Sequence, residues 1–97
     1  TSDIVSGLEH VLTLSSTLNI ASVNMSLGGP ARYASQSSCD NGNPSFKTAI
    51  DDLRTAGIAT VIAAGNAGGI DGISSPGCIP SAIAVGSTTK SDSVSSF

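Results

Sequence analysis

Ile58-Ala59-Thr60-Val61-Ile62-Ala63-Ala64 is an almost unbroken apolar run, and Gly65-Asn66-Ala67-Gly68-Gly69 stops it at once. Ile58, Thr60, Val61 and Ile62 are β-branched, which suits a pleated strand better than a helix. A short run of this kind, bounded by glycines, predicts a strand over 58–64. Apolar residues do not alternate with polar ones, so the strand is expected to be covered on both faces, as in a parallel sheet.

Working back from that strand, Asn43-Pro44 opens a helix expected over 44–56. Asn43 can cap it, and at the first helical position the missing N–H of Pro44 costs nothing. Phe46, Ala49, Ile50 and Leu53 make its buried stripe, while Lys47 and Asp51 stand one turn apart on the wet side. Gly57 supplies a left-handed stop. Earlier still, Ile20, Val23 and Met25 predict a strand over 20–26, which Leu27-Gly28-Gly29-Pro30 turns away. Ile4, Val5, Leu8, Val11 and Leu12 mark a first helix over 2–15, with Ser2 or Asp3 as its cap. Residues 31–43 lack any periodicity and read as a long surface loop. Downstream, a Gly/Ser/Pro-rich loop runs to Ser81, and Ala82 to Gly86 forms a third strand, 82–86, before a polar tail.

This order defines an α/β chain whose 20–64 unit crosses over right-handed between parallel strands. Chemistry in such sheets gathers beyond the carboxyl ends of the strands. Here those ends are Ser26-Leu27-Gly28-Gly29 and Gly65-Asn66, expected to project into one crevice.

Composition narrows the function. The 97 residues make one domain at most, and 11% charged against 39% hydrophobic residues excludes a disordered acidic tail. A net charge of −3 without a Lys/Arg cluster argues against nucleic acid as a partner. No apolar run is long enough to span a bilayer, so no membrane partner is expected. Cys39 and Cys78 are too far apart for a zinc knuckle, and the single histidine, His10, is distant from both. A Cys39–Cys78 disulfide is the better reading and two buried free thiols the other. A disulfide implies an oxidising, extracellular compartment.

Three phrases carry a resemblance. Asn24-Met25-Ser26-Leu27-Gly28-Gly29, Ala63-Ala64-Gly65-Asn66 and Ile83-Ala84-Val85-Gly86 resemble, in order and spacing, those of the subtilisin-like serine proteases, the subtilases. The resemblance covers essentially the whole chain. It implies part of a three-layer α/β domain with right-handed crossover helices, in which 1–97 is an internal segment of the catalytic domain. It further implies a secreted serine endopeptidase acting on peptide or protein substrates. The family's Asp-Ser/Thr-Gly, His-Gly-Thr and Gly-Thr-Ser phrases do not occur here, so the catalytic triad is expected elsewhere and this chain alone should be inactive.

On this resemblance Asn66 is the oxyanion-hole donor: attack on a carbonyl puts charge on its oxygen, which a preorganised amide N–H₂ can hold. Ser26, Leu27 and Gly28 would bind substrate backbone, and Ala63, Ala64 and Gly65 would wall the pocket for the residue before the scissile bond. No cofactor is expected in the chain. Calcium would belong to the parent protein, held by carbonyls near Pro80 to Ala82 and an acidic ligand beyond Phe97.

Other residues read more plainly. Ser26 lacks the adjacent base a nucleophile needs, and His10 is a helix-surface or partly packed residue. Asp51 and Asp52 form a solvated face, and Asn24-Met25-Ser26 is a glycosylation sequon closed off within a buried strand. Gly65 to Gly69 lacks the Lys-Ser/Thr of a phosphate loop. The competing reading of the whole chain is a non-catalytic, peptide-binding or self-associating module. As a segment of a larger domain, 1–97 by itself is expected to self-associate, because its sheet leaves at least one edge open.

Overall fold

A computed structural model describes residues 2–97. Its centre is β3 (Ala59–Ala63), the middle strand of a three-stranded parallel sheet. β1 (Ser22–Met25) pairs with one edge of β3, from Ser22 opposite Ala59 to Met25 opposite Ile62. β5 (Ile83–Val85) pairs with the other, from Val61 opposite Ile83 to Ala63 opposite Val85. The strands are shorter than the predicted 20–26, 58–64 and 82–86 because their flanking residues are used elsewhere. Ile58, for example, belongs to the end of the preceding helix.

That helix, α3 (Pro44–Thr55), crosses between β1 and β3 and gives the α/β order its parallel sense. Phe46, Ala49, Ile50 and Leu53 recur at helical spacing and all are buried. With Val5 and Leu8 of α1 (Ser2–Leu14), and with Ile58, Ile62 and Ile79, they form the core. The helix stops through hydrogen bonds that the sequence specifies. Gly57, at φ +82°, donates its N–H to Arg54 O, and Ile58 donates to Leu53 O, both at 2.9 Å. This is a Schellman ending, and the buried pair Leu53 and Ile58 supplies its apolar contact.

Only one face of the sheet is covered, against the expectation of cover on both. Thr60 and Ile62 face the helices and are each 1% exposed. The pairing register puts Asn24, Val61 and Ile83 in one row on the opposite face, with Ala63 and Val85 in the next. There Ile83 and Val85 remain 53% and 51% exposed. The sequence pattern expresses a demand for cover on both sides and does not say whether the second layer lies within these residues. The chain thus forms a helix layer and a sheet layer of the α/β fold.

Helix starts also differ from expectation. Ser2 and Asp3 lie within the first turn of α1, where Asp3 suits the positive end of the helix dipole. The position before them is outside the described residues. Asn43 precedes α3 but makes no side-chain cap. Instead its Nδ2 donates to Cys39 O at 2.8 Å and its Oδ1 accepts from Ser75 Oγ at 2.6 Å. A tertiary tie has displaced the local one.

The segment read as a loop over 31–43 contains β2 (Arg32–Tyr33) and α2 (Gln36–Gly42). β2 pairs antiparallel with β4 (Ile73–Ser74), a strand the sequence did not announce. Ser35 caps α2, its Oγ accepting from Ser38 N at 3.2 Å. α2 buries a single residue, Cys39, so it has no apolar stripe for periodicity to detect. Its attachment is covalent: Cys39 is bonded to Cys78, with Cα atoms 6.0 Å apart. The disulfide lies in the core. Cys39 is fully buried in the core and Cys78 packs against it.

Lys47 and Asp51 form the expected pair on α3, Nζ to Oδ2 2.8 Å, and Ser81 Oγ donates to the other carboxylate oxygen. Asp51 is therefore a joint between helix and loop and not simply a solvated face; Asp52 beside it is exposed. Hydrogen bonds from Lys47 and then Ser81 hold the Asp51 carboxyl below its ordinary 3.8, while the bond to Asp51 raises Lys47 above its ordinary 10.5. A lowered carboxyl stabilises the fold above its unfolded value and loses that contribution as pH falls through the folded one. A raised amine contributes below its unfolded value and loses that contribution as pH rises through the folded one. The pair should thus contribute fully between about pH 4 and 10. Lys47→Gln should move the Asp51 titration upward in a carboxyl-carbon NMR titration, and Ser81→Ala should move it less. An Asp51 midpoint indifferent to Lys47→Gln would refute the pairing in solution.

Candidate active site

β1 and β3 stop pairing after Met25 and Ile62, and the chain beyond each bends away. Their carboxyl-terminal extensions line a cleft of about 570 Å³, with Ser26 to Pro30 on one side and Ala63, Gly65, Asn66 and Ala67 on the other. None of these residues ionises, so the cleft is neutral and suits an apolar side chain. Six of the seven expected site residues meet here: Ser26, Leu27, Gly28, Ala63, Gly65 and Asn66. Ala64 does not. It lines the neighbouring hollow with Val85, to whose carbonyl it donates at 2.9 Å. Ala63, Gly65 and Asn66 line both hollows, whereas Ala64 lines the neighbouring one alone.

Gly65 is the hinge of the site. Its φ is +110°, a region that side chains rarely adopt. A Cβ there would also collide with Ser74, coming 2.7 Å from its Cβ and still closer to its Oγ. Ser74 is 1% exposed and anchors the turn by donating its N–H to Ala64 O at 3.0 Å. Gly28 differs: a Cβ there would meet Ser74 Cβ at 3.5 Å and Ser75 O at 3.6 Å, ordinary contacts. Its neighbour Gly29 donates to Ser75 O at 2.9 Å, tying the β1 turn to the segment after β4.

Asn66 follows Gly65 at the lip of the cleft. It is exposed, and its side-chain amide has no hydrogen-bond partner among the described residues. Ser26 Oγ accepts from Asn24 Nδ2 at 3.2 Å, and His10 lies exposed on α1. Asn24 is exposed on the open sheet face, so the sequon is not closed off here as a buried strand would require. Among the described residues no three His, Cys, Asp or Glu side chains gather into a metal site. No helix among them is long and apolar enough to cross a membrane.

Two residues at this site escaped sequence reading. Ser74 forms the buried backing of Gly65, and Arg32 reaches from β2 into the Asn66 loop. Both belong to the two-residue β2–β4 ladder, too short for a periodic signal.

Comparison with known proteins accords with this geometry. The subtilase family model matches residues 2–97. Alkaline protease 1 of Aspergillus clavatus is 39% identical over 77 residues, covering 79% of this chain and 16% of that protein. A cuticle-degrading serine protease of Arthrobotrys oligospora is 37% identical over 97 residues, covering 100% of this chain and 21% of that protein. The chain thus spans about a fifth or less of the relatives it matches. A family match over nearly every residue, on a parallel sheet whose strand ends frame this cleft, places the chain in the subtilase family.

Proposed function

We propose that these residues form the middle of the catalytic domain of a secreted serine endopeptidase, supplying the oxyanion donor and part of the substrate cleft. The observation that carries this reading is the unpartnered Asn66 amide, set by Gly65 at the lip of a neutral cleft shared with Ser26 to Gly28. β1 is an edge strand, so the backbone continuing from it is free to pair with an extended peptide. The side chain before the scissile bond would enter the cleft between Leu27-Gly28 and Ala63-Gly65. A serine supplied from elsewhere in the protein attacks the carbonyl carbon while a base, also from elsewhere, takes its hydroxyl proton; the carbonyl π electrons move onto oxygen, and Asn66 Nδ2–H donates to that oxygen. The Cys39–Cys78 disulfide accords with an oxidising, extracellular location.

Calcium enters no step. Asp51, the carboxylate that meets Ser81 in the Pro80–Ala82 stretch, is already engaged by Lys47 and Ser81, and the described residues offer no acidic cluster. Any calcium in the parent protein would take its acidic ligand from outside these residues.

The full-length protein should cleave an extended peptide and lose activity on reaction with a serine-directed phosphonate, while the 97-residue chain should be inert. Phosphonate-insensitive cleavage by the full-length protein, or cleavage by the isolated chain, would defeat the proposal. A second reading, self-association of the isolated chain, rests on the exposed Ile83 and Val85 face and the open edges of β1 and β5. Light scattering after size exclusion should show a species larger than a monomer. A cooperatively folding monomer would remove this reading.

A further inference from the structure

The loop carrying Asn66 is rich in glycine and sparsely tethered. Gly65, Gly68 and Gly69 have φ of +110°, +71° and +78°, so much of its backbone is of the freest kind before folding. Between Ala64 and the β2–β4 ladder, one hydrogen bond reaches it among the described residues. Arg32 Nη1 donates to Gly68 O at 2.5 Å. The same nitrogen stands 3.4 Å from Asp71 Oδ1. Gly69 lies against the guanidinium, since a Cβ there would come 3.0 Å from Arg32 Cζ. The base of Arg32 is itself fixed, because its backbone pairs with Ser74, the residue that backs Gly65.

We propose that Arg32 is a positioning residue: it clamps Gly68, and thereby holds the Asn66 amide at the lip of the cleft. The proposal rests on the reading of Asn66 as oxyanion donor. Such a donor is effective only when already aimed, because reorganising it during the reaction forfeits its advantage. A glycine loop without a clamp would let the amide wander, and a misplacement of about 1 Å can cost up to 10²-fold in rate. The Asp71 carboxylate aims the guanidinium. With side-chain exposures of 36% and 71%, the ion pair itself adds little to global stability. Its consequence is local order.

The test compares Arg32→Ala, Arg32→Lys, Asn66→Ala and the Arg32→Ala/Asn66→Ala double variant in the full-length protease, on one extended peptide substrate. Arg32→Ala should lower kcat about tenfold with KM unchanged, and should speed amide hydrogen exchange over residues 66–72 while the unfolding midpoint holds. Arg32→Lys keeps a cation but not the planar fork, and should recover part of the loss. Because Arg32 acts through Asn66, the double variant should be no slower than Asn66→Ala alone. Wild-type kcat in Arg32→Ala, unchanged exchange over 66–72, or additive losses in the double variant would each overturn the clamp. If Asn66→Ala keeps full kcat, the oxyanion reading falls, and with it the catalytic part of the clamp. The exchange data then decide separately whether Arg32 orders the loop. Should Arg32→Ala fail to fold, Arg32→Lys carries the same comparisons.

Discussion

Asn66→Ala should lower kcat of the full-length protein for peptide cleavage by roughly 10²–10³ and leave KM nearly unchanged, a magnitude carried over from subtilisin itself. On the proposed reading, the charge this amide would meet exists only once the carbonyl has been attacked. Its removal therefore raises the transition state and leaves the bound substrate where it was. The surroundings favour a large effect: among the described residues no ionisable side chain lines the cleft itself, and Arg32 nearby is engaged with Gly68 and Asp71. Asn66→Asp is a sharper probe, because it keeps the shape and puts an anion where the oxyanion should form. It should be slower than the alanine variant. A variant whose KM rises while kcat holds would make Asn66 a ground-state binding residue.

The strand and turn that carry this site were readable in advance because they rest on short local rules, whereas the roles of its residues came from the family resemblance. Gly65 had to be glycine for a turn with positive φ, and the strand before it was marked by its β-branched run. The end of α3 at Gly57 was readable for the same reason, since a left-handed residue after a helix is a local matter. What was hidden depends on distant partners. Asn43 carries every local mark of a helix cap, yet its side chain joins Cys39 to Ser75, 32 residues onward. The β2–β4 ladder offers two residues per strand, and α2 buries only Cys39. Neither has a period. Ala64 lines the adjoining hollow together with Ala63, Gly65 and Asn66. The uncovered sheet face is a different case: the apolar run predicts cover on both faces, and the described residues supply it on one.

Removing the disulfide should have the largest effect on stability. Cys39→Ala/Cys78→Ala should lower the unfolding free energy by roughly 4 kcal/mol, the chain-entropy value for a closed loop of this length, here 39 residues. Alanine is the right replacement because Cys39 is fully buried among apolar residues. Serine would add the cost of an unpaired buried hydroxyl and should be worse still. The loss should begin at α2. A seven-residue helix with one buried side chain cannot persist alone, so its amides should exchange faster before the rest of the chain responds. From there the loosening has a route to the cleft. Asn43 holds Ser75, and Ser75 O holds Gly29 N, so a freed α2 weakens the tie on the turn that presents Leu27 and Gly28. In the full-length protein this should raise KM for an extended peptide, because the affected backbone is the part proposed to bind substrate. The affected chemistry differs from that of Asn66, and the kinetic signature should differ with it: KM moves here, kcat there. A double alanine variant with unchanged denaturation midpoint and unchanged exchange over residues 36–42 would show that packing alone holds α2, and that the cross-link is incidental.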